Sequence, residues 1–216
     1  MIELIEKEIF SDLRSEFEIN YVYQEENLKF MRKIRPESIK VVIYDPDPLV
    51  QEELQKNYLL FHKKRITEIK RILKDSGFVF IFCDNSIKFK FKLMCDEIFG
   101  KNCLKKEIIF NKTDKLSSIL QDFQTILVYA KSDNCVFKKL PFLRRQREYY
   151  VYNNQKSLYL IKRLIKGNSK EGELIGDFTC GSGTTMIAAK ILSRNFIGCD
   201  KNPKAIEITK TRLRGL

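Results

Sequence analysis

Residues 173–200 read ELIGDFTCGSGTTMIAAKILSRNFIGCD, and this stretch decides the fold. Leu174 to Phe178 is a short apolar run with the pattern of a buried strand. Cys180-Gly181-Ser182-Gly183 is a turn of small residues. Thr184 and Thr185 open an apolar helix over Met186 to Leu192, which Asn195 breaks, and Phe196 to Cys199 is a second strand ending on Asp200. The unit is strand, glycine turn, helix, strand, acid. Glycines let the backbone turn tightly and approach a ligand closely. The start of the helix offers unpaired N–H groups. An acid about 20 residues further on, at a strand end, suits ribose hydroxyls.

The details narrow the ligand. A dinucleotide fingerprint needs a third glycine three residues after the second, and Met186 stands there. No Gly-Lys-Ser/Thr follows the turn, so it is not a P-loop. Asp177 ahead of the turn disfavours a phosphate and favours a cationic ligand end. S-adenosylmethionine (SAM), with its ammonium and sulfonium groups, fits.

The chain has 216 residues, enough for one domain with a substantial core, and we expect a single domain over 1–216. Forty Lys and Arg against 28 Asp and Glu give a net charge of +12, which favours a polyanionic partner. Six cysteines show no Cys-x-x-Cys pair, and His62 is the single histidine, so no metal site or disulfide framework is expected. Free thiols fit a reducing cytoplasm. No apolar run approaches the ~20 residues of a membrane span, and the charged start MIELIEKEIF is unlike a signal peptide. The same start has Ile2, Ile5, Ile9, Leu13 and Phe17 near helical spacing.

The 173–200 stretch resembles the SAM motif of amino-methylating DNA methyltransferases, Asp-Pro-Phe-x-Gly-Ser-Gly-Thr-Thr, with Phe178 and Thr179 where Pro and Phe usually stand. Ile197-Gly198-Cys199-Asp200, Lys201-Asn202-Pro203 and a closing helix from Ala205 to Leu213 continue the likeness. The resemblance implies a Rossmann-like α/β fold: a mostly parallel sheet with helices on both faces. It also implies the β-type order, in which the catalytic half precedes the SAM half, and so a catalytic motif near the N-terminus.

The β-branched run Ile39 to Tyr44 reads as a buried parallel strand. It ends in Asp45-Pro46-Asp47-Pro48, where the family has Asp/Asn/Ser-Pro-Pro-Tyr/Phe. The chemistry of such a motif is clear. An exocyclic amino group is a weak nucleophile because its lone pair is delocalised into the ring. A carboxylate and a Pro-fixed carbonyl can accept its hydrogens and turn it toward a methyl donor. An aromatic residue stacks on the flipped base. Here Asp45 and Pro46 are kept, Asp47 replaces Pro, and Pro48 replaces the ring. Two readings follow. Either another ring, Tyr44 or Tyr58, stacks the base and the chain methylates adenine N6 or cytosine N4. Or the site has decayed, and the chain binds DNA for an active partner.

The resemblance implies further roles. Glu26, 19 residues before Asp45, stands where an Asp touches the SAM adenine; a plain charge at a helix start is the alternative. Asn154-Gln155-Lys156-Ser157 resembles the Thr-Gln-Lys-Pro element that holds SAM, which places Lys156 there. Asp177, Cys180, Gly181, Ser182, Gly183, Thr184 and Asp200 complete the SAM set. Arg71 to Phe82 resembles an Arg-x-Leu-Lys-Pro-Gly-Gly turn and strand, with the turn at Lys74-Asp75-Ser76-Gly77. EIFG (97–100), IIF (108–110) and ILVYAKS (126–132) resemble the last strands of the sheet.

Helices are expected from Glu26 to before Pro36, over Gln51–Leu73, closed by Gly100 over Lys88–Phe99, and over Leu158–Lys166. His62, on the second, reads as an ordinary structural histidine. Residues 138–152, KKLPFLRRQREYYVY, form the most basic patch, with Lys138, Lys139, Arg144, Arg145 and Arg147 among rings. Cations for phosphates and rings for bases fit a small DNA-recognition segment. DNA is the expected partner, with a homodimer or an active methyltransferase or restriction partner beside it.

Overall fold

The structure, a computed structural model, describes residues 17–46, 55–83, 86–111, 123–138, 140 and 155–216. One seven-stranded sheet runs through it, in the order β1-β7-β6-β2-β3-β5-β4. The strands are β1 (Tyr21–Gln24), β2 (Ile39–Tyr44), β3 (Leu73–Cys83), β4 (Leu104–Asn111), β5 (Phe123–Ala130), β6 (Leu174–Asp177) and β7 (Asn195–Asp200). Neighbours from β1 to β3 are parallel; β5 is antiparallel to β3 and to β4. The helices are α1 (Asn27–Lys33), α2 (Gln55–Ile72), α3 (Lys88–Phe99), α4 (Leu158–Asn168), α5 (Thr184–Ile191) and α6 (Pro203–Arg214).

β2 shows why its sequence is an unbroken apolar run. Val42 and Tyr44 face one core, under Phe30 and Met31 of α1, Ile66 and Ile69 of α2 and Phe91 of α3. Val41 and Ile43 face the other, under Ile161 and Leu164 of α4 and Met186 and Ala188 of α5. A strand covered on both faces loses the polar alternation of a half-exposed one.

Local chemistry sets the helix ends. The Glu26 carboxylate accepts the Lys29 N–H at 2.9 Å and so caps α1. Asn202 caps α6 through the Lys204 N–H, with Pro203 as the first helical residue. Gly100 closes α3 at φ 98°, its N–H reaching the Asp96 carbonyl.

The expected elements are all present where the structure describes them, with three differences. β3 begins at Leu73, so Lys74–Gly77 is a bulge inside it, between Ile39↔Leu73 and Val41↔Phe78. EIFG is the last turn of α3 and not a strand, because Phe99 is buried in the core on the helical repeat of Phe91 and Cys95. β4 begins at Leu104, four residues before the expected IIF, as its partner β5 supplies a ladder back to Leu104. The start of the expected Gln51–Leu73 helix and most of the N-terminal segment lie outside the described residues.

The order of the sheet has a functional consequence. From β6 the chain goes out through α5 to β7 on one side, and from β2 through α2 to β3 on the other. β2 and β6 are neighbours, so the sheet order reverses between them and their carboxyl ends open a crevice.

At the base of that crevice Gly198 packs closely. A Cβ there would meet Met186 Cε at 2.6 Å and the Asp177 carbonyl oxygen at 2.7 Å. Gly198→Ala is expected to lower stability by about 1–3 kcal/mol, read as a fall in the urea midpoint at unchanged slope.

Candidate functional site

Four strand ends meet at the crevice. β2 delivers Asp45, β6 ends on Asp177, β7 ends on Asp200, and β1 leads into Glu26. Ile43 stands opposite Asp177, and Asp177 opposite Gly198, so the ladder places Asp45 and Asp200 each two residues beyond the level of Asp177, on either side of it. They line a cavity of about 980 Å³, together with Pro46, Lys156, Gly181, Ser182 and Thr184.

The glycine loop is held from below and from the side. Gly181 donates its N–H to Asp200 Oδ2 at 2.9 Å, and the other Asp200 oxygen accepts from the Asn202 N–H at 2.9 Å. Thr209 on α6 donates to the Gly181 carbonyl at 2.9 Å, and Arg212 donates to the Ser182 carbonyl. Gly183 has φ 77°, and a Cβ on it would run into the Thr209 side chain. Of the expected SAM residues Gly183 alone is not on the cavity wall; it provides the turn and the close approach of α6.

Asp177 is buried, and its Oδ1 accepts from the Thr179 N–H at 3.0 Å and the Thr179 hydroxyl at 3.4 Å. Burial pushes its carboxyl up to about 7, with the charges of Asp45 and Asp200 adding and hydrogen bonds from Thr185 and Thr179 opposing. Burial also pushes the Cys180 thiol up, so it is a wall group and not a thiolate.

The two halves of the site are tied together at Asp45. Its N–H donates to Thr179 Oγ1 at 3.3 Å, and Lys156 Nζ lies 2.7 Å from its Oδ2. Thr179 stands where the related motif has Phe, so the substitution creates this bond. Glu26 is engaged twice: it caps α1 and pairs with Arg65 of α2. Burial raises its carboxyl, but hydrogen bonds from the Lys29 and Leu28 N–H groups and then the Arg65 charge outweigh it and hold the group below the usual range. Both readings of Glu26 therefore meet in one residue, a cap on the cavity wall.

α2 contributes wall residues that sequence reasoning missed. The Arg65 guanidinium also donates to Asn27 Oδ1 at 2.7 Å and stacks on Phe61, 3.2 Å from the ring centre. Phe61 lines the cavity and is 49% exposed. His62 lines it too, buried, with Nδ1 2.6 Å from the Tyr44 hydroxyl. Burial and the Arg65 charge push its imidazole down to about 3, so it is neutral. No local motif marks these residues; they share the site because α2 crosses the β2 end.

Tyr44 is fully buried with its hydroxyl on His62, so it is not the ring for a base. Tyr58 lines a recess of about 10 Å³ that also touches Pro46, Phe82 and Gln124. Gln124 Oε1 is buried there with no hydrogen-bond partner among the described residues. Lys138 is exposed and away from the cavity wall. Asp47, Pro48, Lys139, Arg144, Arg145 and Arg147 lie outside the described residues.

Comparison with known proteins decides the family. The family model for DNA methylases acting at N6 and N4 matches residues 46–149 and 137–211. The chain belongs to this DNA methylase family. It is 23% identical over 248 residues to type II methyltransferase M1.MboII of Moraxella bovis, covering 88% of this chain and 94% of that one. The fold is similar to that of PvuII DNA methyltransferase (cytosine-N4-specific), with a TM-score of 0.76, 14% identity and coverage of 88% and 85%. It is also similar to TTHA0409 of Thermus thermophilus in complex with S-adenosyl-L-methionine, with a TM-score of 0.71, 16% identity and coverage of 90% and 93%. The β-type order is met in the chain itself, since Asp45 precedes the glycine loop by more than half of its length. Among the described residues of this methylase no helix is long and apolar enough to cross a membrane.

The raised Asp177 carboxyl gives a signed prediction. Protonated Asp177 stabilises the fold fully below about pH 4, and that increment is lost as pH rises to about 7. It amounts to about 4 kcal/mol at most. Asp177→Asn should remove this slope, so that urea midpoints of the two chains converge at low pH and the variant is the more stable at pH 8.

Proposed function

We propose that this chain transfers a methyl group from SAM to the exocyclic amino group of a base in DNA, with adenine N6 as the first target to test and cytosine N4 as the other. One observation carries the reading: Asp45 and Pro46 share a cavity with Asp177, the glycine loop and Asp200. The family match supplies DNA as the substrate class.

The residues present fit SAM. Asp177 and Asp200 suit its cationic groups and ribose hydroxyls, and the loop brings backbone close without side chains. The volume of about 980 Å³ suits a ligand of that size with a base beside it. SAM, when bound, supplies an electrophilic methyl group. The Asp45 carboxylate and the Pro46 carbonyl accept the two amino hydrogens, which turns the nitrogen lone pair toward the donor. Lys138, Lys139, Arg144, Arg145 and Arg147 contact phosphates. The chain works as a homodimer or beside a second methyltransferase or restriction partner.

Radiolabelled methyl from SAM is expected in unmethylated DNA with the native chain and to be absent with Asp45→Ala, while SAM binding persists. Digestion of the product identifies the base. SAM binding without label in the native chain would overturn the enzyme reading in favour of a DNA-binding subunit.

A further inference from the structure

The likeness of residues 154–157 to a SAM-holding element puts Lys156 at the cofactor, but in the structure its ammonium turns to the catalytic motif. Nζ lies 2.7 Å from Asp45 Oδ2, with the two side chains only 18% and 26% exposed. The Lys156 cation also sits 5.2 Å from the centre of the Phe82 ring, which confines its stem. Asp45 is thus gripped from two sides, its N–H by Thr179 and its carboxylate by Lys156. A carboxylate has about four lone-pair sites, so the ammonium leaves it capacity to accept from an amino group.

The charges around Asp45 make this grip consequential. Asp177 and Asp200 end the neighbouring strands, Glu26 and Arg65 pair on the cavity wall, His62 is neutral, and Lys201 and Lys204 also line the cavity. Crowded carboxylates drive a proton onto one another, and a protonated acid donates where this chemistry needs an acceptor.

We propose that Lys156 is a positioning residue for methyl transfer: it holds Asp45 in place and keeps it an anionic acceptor for the target amino group. The inference rests on the methyltransferase reading and goes beyond it, because it moves Lys156 from the cofactor to the catalytic carboxylate. It also gives the stretch that leads into α4 a part in the chemistry, as a strut from the cofactor half of the chain to the catalytic half.

The test compares the native chain with Lys156→Met and Lys156→Arg in three measurements: SAM Kd by calorimetry, kcat at saturating SAM across pH, and titration of the Asp45 carboxyl by carbon NMR. In Lys156→Met, SAM Kd is expected to stay within about 3-fold. The kcat at neutral pH should fall about 10- to 100-fold. Its acid limb and the Asp45 titration should move up together by about one to three pH units, so activity partly returns in alkali. Lys156→Arg keeps the cation, should restore kcat to within about 5-fold, and separates loss of charge from loss of fold. A rise of SAM Kd of about 10-fold or more, with kcat at saturating SAM and the Asp45 titration unmoved, would overturn the proposal and return Lys156 to the cofactor. If the native chain places no label in DNA, the methyltransferase reading fails. The Asp45 titration still decides the Lys156 contact, since a titration unmoved in Lys156→Met overturns it without any turnover.

Discussion

The site depends on one parallel pairing, β2 against β6. Val41, Val42 and Ile43 run beside Ile175, Gly176 and Asp177, and this register carries Asp45 two residues beyond the level of Asp177, beside Thr179. A slip of one residue would exchange the two faces of β2 and bury the wrong side chains, so the packing that holds the core also holds the distance between the two acids. The register is over-determined, because both faces of β2 are filled: Val42 and Tyr44 on one side, Val41 and Ile43 on the other. Asp45 and Asp177 lie far apart in the chain, yet one rigid ladder sets their separation.

The cost of that placement is electrostatic. Three carboxylates on adjacent strand ends repel one another, and Asp177 is buried as well, which raises its carboxyl to about 7. The structure offsets the repulsion locally. Asp200 accepts hydrogen bonds from two backbone N–H groups, Asp45 is paired with Lys156, and Glu26 with Arg65. Asp177 is the buried one of the four, with its carboxyl raised, so it is the one whose charge a cationic ligand would favour most. An acid-lined crevice with one carboxylate poised near neutrality is a natural seat for a ligand with an ammonium and a sulfonium.

Much of this is legible in the sequence, and for identifiable reasons. The 173–200 stretch carries its fold in local terms: apolar runs of strand length, glycines where φ is positive, and an acid at a strand end. Ile39–Tyr44 is readable because burial on both faces leaves an unbroken apolar signature. Asp45 follows from the order of motifs, while the α2 wall does not. Phe61, His62 and Arg65 reach the cavity because α2 packs across the end of β2, a tertiary fact that helical periodicity does not contain. Resemblance brings Lys156 to the cavity but is silent on its contact with Asp45, since it locates a segment and not the direction its side chain takes. EIFG misleads for the opposite reason: its residues suit a strand, and burial of Phe99 on the repeat of α3 overrides that preference.

The strand order also has a consequence for how the chain is made. β1 pairs with β7, and Tyr21 finds Ile197 across a separation of 176 residues. β2 likewise keeps one edge open until β6 fills the centre of the sheet. During synthesis, the first strands therefore wait with unpaired edges, and the middle of the sheet is the last part to be supplied. Long-range parallel pairing of this kind folds slowly and exposes apolar edges meanwhile. For this architecture the glycine-loop segment is the keystone of the sheet as well as its cofactor wall: until Leu174–Asp200 has left the ribosome, the residues that precede it have no complete sheet to join.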